Sequence, residues 1–214
     1  MTITLIIIII TVLVSLTAFS NDKIFDDLIF DPAAVTYNRQ WYRFLTCGLI
    51  HANFFHLFFN MYSFYMFGDE VEKSFIRIFQ EKGKLLYLLL YITSLFACLL
   101  PTYFKHKTDN NYRSLGASGA VSAVIFAYII LNPLNDLGLI IIPGFRLRAF
   151  IFGFIYLVVS SFLDKRGGGN INHSAHIFGA LYGIGFLIVT SNFLSDHHVL
   201  EEFVQQVRAY ISSF

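Results

Sequence analysis

Apolar residues fall along this chain in long blocks separated by short polar intervals, the pattern of a helical bundle whose outside is not water. Thr2 to Phe19 is the first block, long enough at about 1.5 Å per residue to cross most of a bilayer core of about 30 Å. It lacks a basic start and Leu16 falls where a cut after Ala18 would need a small residue, so it reads as a span rather than a cleaved leader. Ser20 to Gly48 is the longest polar interval, with Asp22, Lys23, Asp26, Asp27, Asp31 and Pro32, and reads as a loop lying partly among headgroups. His51 to Val71 is a second span, followed by a charged connector from Asp69 to Lys84. Lys84 to Phe104 is a third, ending near Pro101, with a polar loop from Lys105 to Leu115. The fourth opens at Gly116 and stops at Leu131, because Pro133 disfavours helix at Asn132. Leu134 to Pro143 is apolar but short and bracketed by prolines, and reads as a connector in the interface. Arg146 to Leu163 is a fifth span and Ser174 to Phe193 a sixth. Between them Asp164 to Asn172, with Gly167-Gly168-Gly169, is a loop that is mobile by composition.

The tail, Asp196 to Phe214, sets Val199, Phe203, Val207 and Ile211 at steps of four with charge between. It reads as an amphipathic helix on the membrane surface, with a packing or partner helix as the alternative. The expectation is an all-α polytopic membrane protein, with six spans in residues 1–195 and an amphipathic tail in 196–214.

Composition agrees. Of 214 residues, 56% are hydrophobic and only 14% charged, against roughly 25% charged in soluble domains. The net charge of +1 includes no basic run, so a nucleic-acid partner is not expected. Cys47 and Cys98 stand far apart without metal-ligand spacing, and neither a disulfide framework, a metal nor another cofactor is expected. Charge does not orient the bundle. With six spans, seven cations (Lys73, Arg77, Lys82, Lys84, Arg146, Arg148, Arg208) lie on the side of the termini and eight (Lys23, Arg39, Arg43, Lys105, Lys107, Arg113, Lys165, Arg166) on the other.

The candidate chemistry lies in Gly116-Ala117-Ser118-Gly119-Ala120. Amides in a first helical turn have no intrahelical acceptor, so a serine there would find negative charge on its adduct already provided for. Small residues in a span also serve helix packing, and this motif alone fits either use. His176 separates the two. It stands near the start of the sixth span with Gly179 and Gly183 on its face, while Gly119, Ala123 and Ala127 form a matching small stripe on the fourth. Both starts lie on one side of the membrane, which brings hydroxyl and imidazole within reach as an activated nucleophile. The fourth helix has only fourteen residues from Ser118 to Leu131, about 21 Å, which sets Ser118 roughly 10 Å below the near surface. On the second span His56, Asn60, Ser63 and Phe67 share one face. His56 and Asn60 fit two roles there, interhelical hydrogen-bond glue or donors to an oxyanion beside the Ser118 amide. Trp41, Tyr42 and Arg43 read as interfacial anchors, and His51 as an interfacial or loop histidine.

Gly116-Ala117-Ser118-Gly119, Ala175-His176-Ile177-Phe178-Gly179, the histidine–asparagine stripe and Trp41-Tyr42-Arg43 together resemble the rhomboid intramembrane serine proteases over nearly the whole chain. The resemblance implies a six-helix bundle with cytosolic termini and an active site opening outward. It implies Ser118 as nucleophile, His176 as general base and acid, and His56, Asn60 and the Ser118 amide as oxyanion hole. Substrates would be transmembrane segments of membrane proteins, admitted laterally between the second and fifth spans. Trp41 and Arg43 match a structural motif of the first loop, and His51 a histidine at the start of the second span. There are two departures. Family members often carry, four residues after the serine, a tyrosine stacked on the histidine; here that residue is Ser122, so His176 must be oriented by another group, such as a neighbouring aromatic. Glu72 matches an acidic position, but the basic residue usual two places on is Ser74.

The competing function is a catalytically inactive relative that binds transmembrane segments for quality control or trafficking. A small transporter would show inverted repeats with matched broken helices, and none is seen. Zinc and aspartyl intramembrane chemistry lack their motifs, since there is no HExxH and Gly68-Asp69 lacks the first glycine of GxGD. The missing appended domain suggests a compact prokaryotic cell-membrane form.

Overall fold

The structure, a computed structural model, describes residues 1–138, 144, 146–166 and 171–214. It is mostly helical, at 76%. Helix α1 (Ile3–Phe19) starts the chain, its first turn capped by Thr2. Its buried face is Thr4, Ile7, Thr11, Ser15 and Ala18, while Leu5, Ile6, Ile9, Ile10, Leu13 and Leu16 point outward. That is a soluble helix turned inside out. Lipid accepts isoleucine and leucine without penalty, whereas the hydroxyls of Thr4 and Ser15 find their hydrogen-bond partners inside the bundle.

The interval from Ser20 to Gly48 is not an open loop but three short helices, α2 (Asp22–Leu28), α3 (Pro32–Asn38) and α4 (Arg43–Thr46). Asn21 and Asp31 cap the first two, and proline opens the second, so polar residues that suggested a loop are helix starts. Arg43 is buried rather than interfacial. Its Nη1 donates to the carbonyls of Asp26 and Ile29, 2.7 Å each, and its Nε to Gln40 Oε1 at 2.6 Å, folding the segment around one cation.

Helix α5 (Phe54–Phe79) runs about two turns past the expected end of the second span, so most of Asp69 to Lys84 is helix rather than connector. The reason is Glu72, which is buried at the far end of α1. Its carboxylate accepts from the amides of Ile3 (2.8 Å) and Thr4 (2.9 Å) and from Thr4 Oγ1 (2.8 Å), the groups a helix start leaves unpaired. Helix α6 (Gly83–Ala97) ends earlier than expected, and Pro101 sits in the first turn of α7 (Leu100–His106), where its missing N–H costs nothing. Helix α8 (Ser118–Leu131) stops where expected and begins two residues after Gly116.

Next comes a departure from an all-α chain. Strands β1 (Asp136–Gly138) and β2 (Arg146–Arg148) pair antiparallel, with Leu137 opposite Leu147. Residues 139–143, the rest of the expected interfacial connector, lie outside the described residues, as do Gly167, Gly168 and Gly169. Helices α9 (Ala149–Arg166), α10 (His173–Leu194) and α11 (Val199–Ile211) complete the chain. In α11, Val199 is buried and Phe203 packs on the main core, so the start of the tail is docked on the bundle, while Ile211 is exposed.

Helix α8 is the axis of the bundle, with ten of its fourteen residues buried. It meets α10 backbone to backbone. A Cβ at Gly179 would collide with the carbonyl of Gly119, and one at Gly183 with that of Ala123. Among the described residues, two helical stretches are long and apolar enough to cross a membrane, Phe54–His106 and His173–Leu194, with shorter apolar helices at Ile3–Phe19 and Ser118–Leu131. Phe54, Phe55, Phe58, Tyr65, Phe154 and Phe193 are among many large apolar side chains left outside.

The close crossing makes a contrast within one helix. Gly183→Val, facing Ala123, should destabilise the protein by about 1–3 kcal/mol or more. Gly185→Ala, with nothing within 4 Å of its added carbon, should leave it unchanged. Thermal unfolding of the purified protein in detergent measures both.

Candidate active site

Ser118 begins α8, and the chain enters it through Gly116 at φ 109°, a conformation that suits only glycine. An added Cβ there would lie 2.8 Å from His56 Cε1 and 3.0 Å from its Nε2, so the missing side chain also admits the histidine ring. The turn is pinned from outside α8. The Gly116 amide donates to Cys47 O at 2.9 Å, and Ser114 exchanges two hydrogen bonds with Phe30. Arg43, which holds the Asp26 and Ile29 carbonyls, therefore secures the segment from which the serine turn hangs.

His51 is the third tether. It is fully buried, which corrects its reading as an interfacial or loop residue. Its Nε2 accepts from the Ala117 amide (3.4 Å), its Nδ1 lies 3.0 Å from Ser15 Oγ, and that hydroxyl donates to Leu49 O at 2.8 Å. Because the serine hydrogen is committed to Leu49, Nδ1 is the protonated nitrogen and every link has a donor and an acceptor. The chain Ala117–His51–Ser15–Leu49 joins α1 to the turn before Ser118.

His176 stands in the first turn of α10. Asn172 caps that turn, accepting from the Ala175 amide (3.0 Å), and its side chain also pairs with Thr102 of α7. With α8 and α10 in backbone contact one turn further on, His176 Nε2 lies 2.7 Å from Ser118 Oγ. No carboxylate bonds to His176 among the described residues. Its ring is flanked by Tyr156 (centroids 6.5 Å apart, planes at 26°) and met edge-on by His173 at 5.9 Å.

His56 and Asn60 are placed differently. The His56 ring rests against Gly116, and its Nδ1 accepts from the Ala52 amide at 3.4 Å. Asn60 is buried, and its amide donates to His56 O at 2.9 Å, within its own helix. No hydrogen bond joins either side chain to Ser118. The α8 start has no side-chain cap, and Ala117 O accepts only from Val121, which leaves the amides of Ser118, Gly119 and Ala120 uncommitted among the described residues.

Two cavities lie near the starts of α8 and α10. One of about 20 Å³, room for a water molecule, is lined by Gly116, Ser118, Gly119, Cys47, Cys98 and Ala175. The other, about 620 Å³, is lined by Lys105, His106, Arg113, Arg166, Asn172 and His173 at the end where α8 and α10 begin. At that rim the Asp109 carboxyl is held below its ordinary value by the Asn111 amide and by His106. Among the described residues no cluster of His, Cys, Asp and Glu could hold a metal ion.

A hydroxyl and an imidazole 2.7 Å apart, carried on two helices of an apolar bundle, narrow the class of protein. The family model for the Rhomboid domain matches residues 38–193, most of the chain, and the chain belongs to the rhomboid family. It is an integral membrane protein. It is 32% identical over 155 residues to the protein named "Putative rhomboid protease YdcA" of Bacillus subtilis (strain 168), covering 71% of this chain and 69% of that one. The rhomboid protease GlpG of Haemophilus influenzae is 28% identical over 175 residues, covering 79% and 80%. Rhomboid-like protein 11, chloroplastic, of Arabidopsis thaliana is 30% identical over 162 residues, covering 72% of this chain and 54% of its own length.

Asn172, Ser15 and Tyr156 were not singled out from the sequence. Asn172 had a legible signal, an asparagine just before an apolar run. The other two act across helices, where linear spacing carries none.

Gly116→Ala should abolish activity and destabilise the turn, through both the positive φ and the clash with His56. Ser15→Ala should destabilise the protein by about 1–3 kcal/mol, since it leaves the buried His51 Nδ1–H without an acceptor. Thermal unfolding and cleavage of a transmembrane reporter, run side by side, check each.

Proposed function

We propose that this protein is an intramembrane serine endopeptidase working through a Ser118–His176 dyad. The observation that carries the reading is the 2.7 Å separation of His176 Nε2 and Ser118 Oγ at adjoining helix starts. The scaffold is read as six spans in residues 1–195, formed by α1, α5, α6, α8, α9 and α10, with 196–214 as an appended tail. Both termini face the cytosol of a prokaryotic cell membrane, and the helix starts of α8 and α10 face out.

A transmembrane segment of another membrane protein enters between α5 and α9 and unwinds, because a helical peptide bond is shielded and its carbonyl engaged. His176 Nε2 takes the Ser118 hydroxyl proton as Oγ bonds to the carbonyl carbon. The resulting oxyanion sits over the uncapped α8 start, with the Ser118 amide as its first donor. His56 is suited to a second, because accepting at Nδ1 leaves its proton on Nε2, the side against Gly116. Asn60 uses one of two amide hydrogens on His56 O and has another to give. Collapse breaks the C–N bond, and His176 passes its proton to the leaving amine. Water then attacks the acyl-enzyme, giving its proton to His176, which returns it to Ser118. The small cavity lined by Ser118 gives that water a resting place, and the larger one, at the same end of the two helices, a route. No metal or cofactor is needed.

An inactive binding relative would not require a serine and an imidazole at hydrogen-bond distance. Ser118→Ala and His176→Ala proteins in proteoliposomes should keep the wild-type melting temperature and cut a reporter transmembrane substrate at least about 10⁴-fold more slowly. Cleavage by either at near wild-type rate would end the proposal.

A further inference from the structure

An imidazole acting as base has to keep one nitrogen's lone pair on the serine, yet its ring torsion is broad and roughly two-fold. Nothing acidic holds His176, and the position one turn after Ser118 is a serine without a ring. Tyr156, on a different helix, fills that place. Its ring lies alongside His176 (6.5 Å, 26°), within the range of offset aromatic pairs, and its hydroxyl is 2.9 Å from Ser122 Oγ. Phe126 and Phe152 hold the ring from other sides at 5.6 and 6.4 Å. Gly153, three residues earlier on α9, lets that helix close on α8, for a Cβ there would lie 3.1 Å from Ile129 Cδ1.

The geometry points to Tyr156, anchored on Ser122, as the positioning residue for His176, so that the base is aligned only while α9 is docked on α8. The ring sits on a lightly held helix. Of the eighteen residues of α9 only Ala149, Gly153 and Ser160 are buried, against ten of fourteen in α8, and Phe154, Val158 and Phe162 face outward. Moving α9 outward withdraws the ring from His176 while leaving the α8–α10 crossing intact. The hydroxyl pair explains why Ser122 is tolerated where a ring is usual: it anchors the ring that arrives from α9.

The inference rests on the dyad reading, and the test separates them. Labelling of Ser118 by a fluorophosphonate and kcat and KM for a reporter substrate are measured on the full chain in proteoliposomes. Tyr156→Ala and the volume-filling Tyr156→Leu should slow labelling and kcat together by about 10- to 100-fold, with KM within about twofold and melting temperature kept. Tyr156→Phe keeps the ring and should lose less than either. The double variant Ser122→Tyr/Tyr156→Ala, which returns a ring from α8, should recover to within about threefold of wild type. Wild-type labelling by Tyr156→Leu, or a double variant no better than Tyr156→Ala, would overturn the inference while leaving the dyad standing. Absence of labelling in the wild-type protein would instead remove the dyad, and this inference with it.

Discussion

Everything at the site depends on α8 and α10 touching through their backbones. In lipid, apolar burial does little to drive helices together, so close packing and polar contacts decide which faces meet. Gly119 and Ala123 lie against Gly179 and Gly183 with no room for a side chain between them. That contact fixes the distance between the two helix starts, and with it the position of an imidazole on one relative to a hydroxyl on the other. A bundle with larger residues at those four places would hold the same two side chains too far apart to share a proton.

The remaining tethers are polar and act on the turn leading into Ser118. Arg43 gathers the segment after α1, whose Phe30 and Cys47 then bond to Ser114 and Gly116. His51, paired with Ser15 of α1, reaches the same turn, and Glu72 secures the other end of that helix. These groups would be unremarked on a water-facing surface. Inside an apolar bundle each unpaired donor or acceptor costs several kcal/mol, so a fully paired chain holds the turn in one geometry. Rigidity of this kind is what the proposed use of the uncapped α8 amides as oxyanion donors requires.

How much of this was legible follows from which forces act locally. The end of α8 could be read because Asn132-Pro133 stops a helix through its own backbone. The facing stripes could be read because small residues at steps of four have one dominant use in spans. The extension of α5 to Phe79 was hidden because Glu72 looks like a surface charge until its partner, the start of α1, is known. Pro101 reads in sequence as the end of a span, although proline is equally at home in a first turn, and the three helices after α1 are concealed by their own capping residues. The β1–β2 pair is too short to show an alternating pattern. His51 and Tyr156 were obscured for a common reason: a polar ring beside an apolar helix looks the same in sequence whether it faces headgroups or the protein interior.

In the proposed mechanism, a serine at the start of α8 is made nucleophilic by a histidine at the start of α10. The most direct measurement is peptide mapping by mass spectrometry of the folded protein after brief exposure to a fluorophosphonate. The account predicts one adduct per chain, on the peptide carrying Ser118, absent when His176 is replaced by alanine. Adducts spread over other serines, or an Ser118 adduct that forms equally fast without the imidazole, would contradict it.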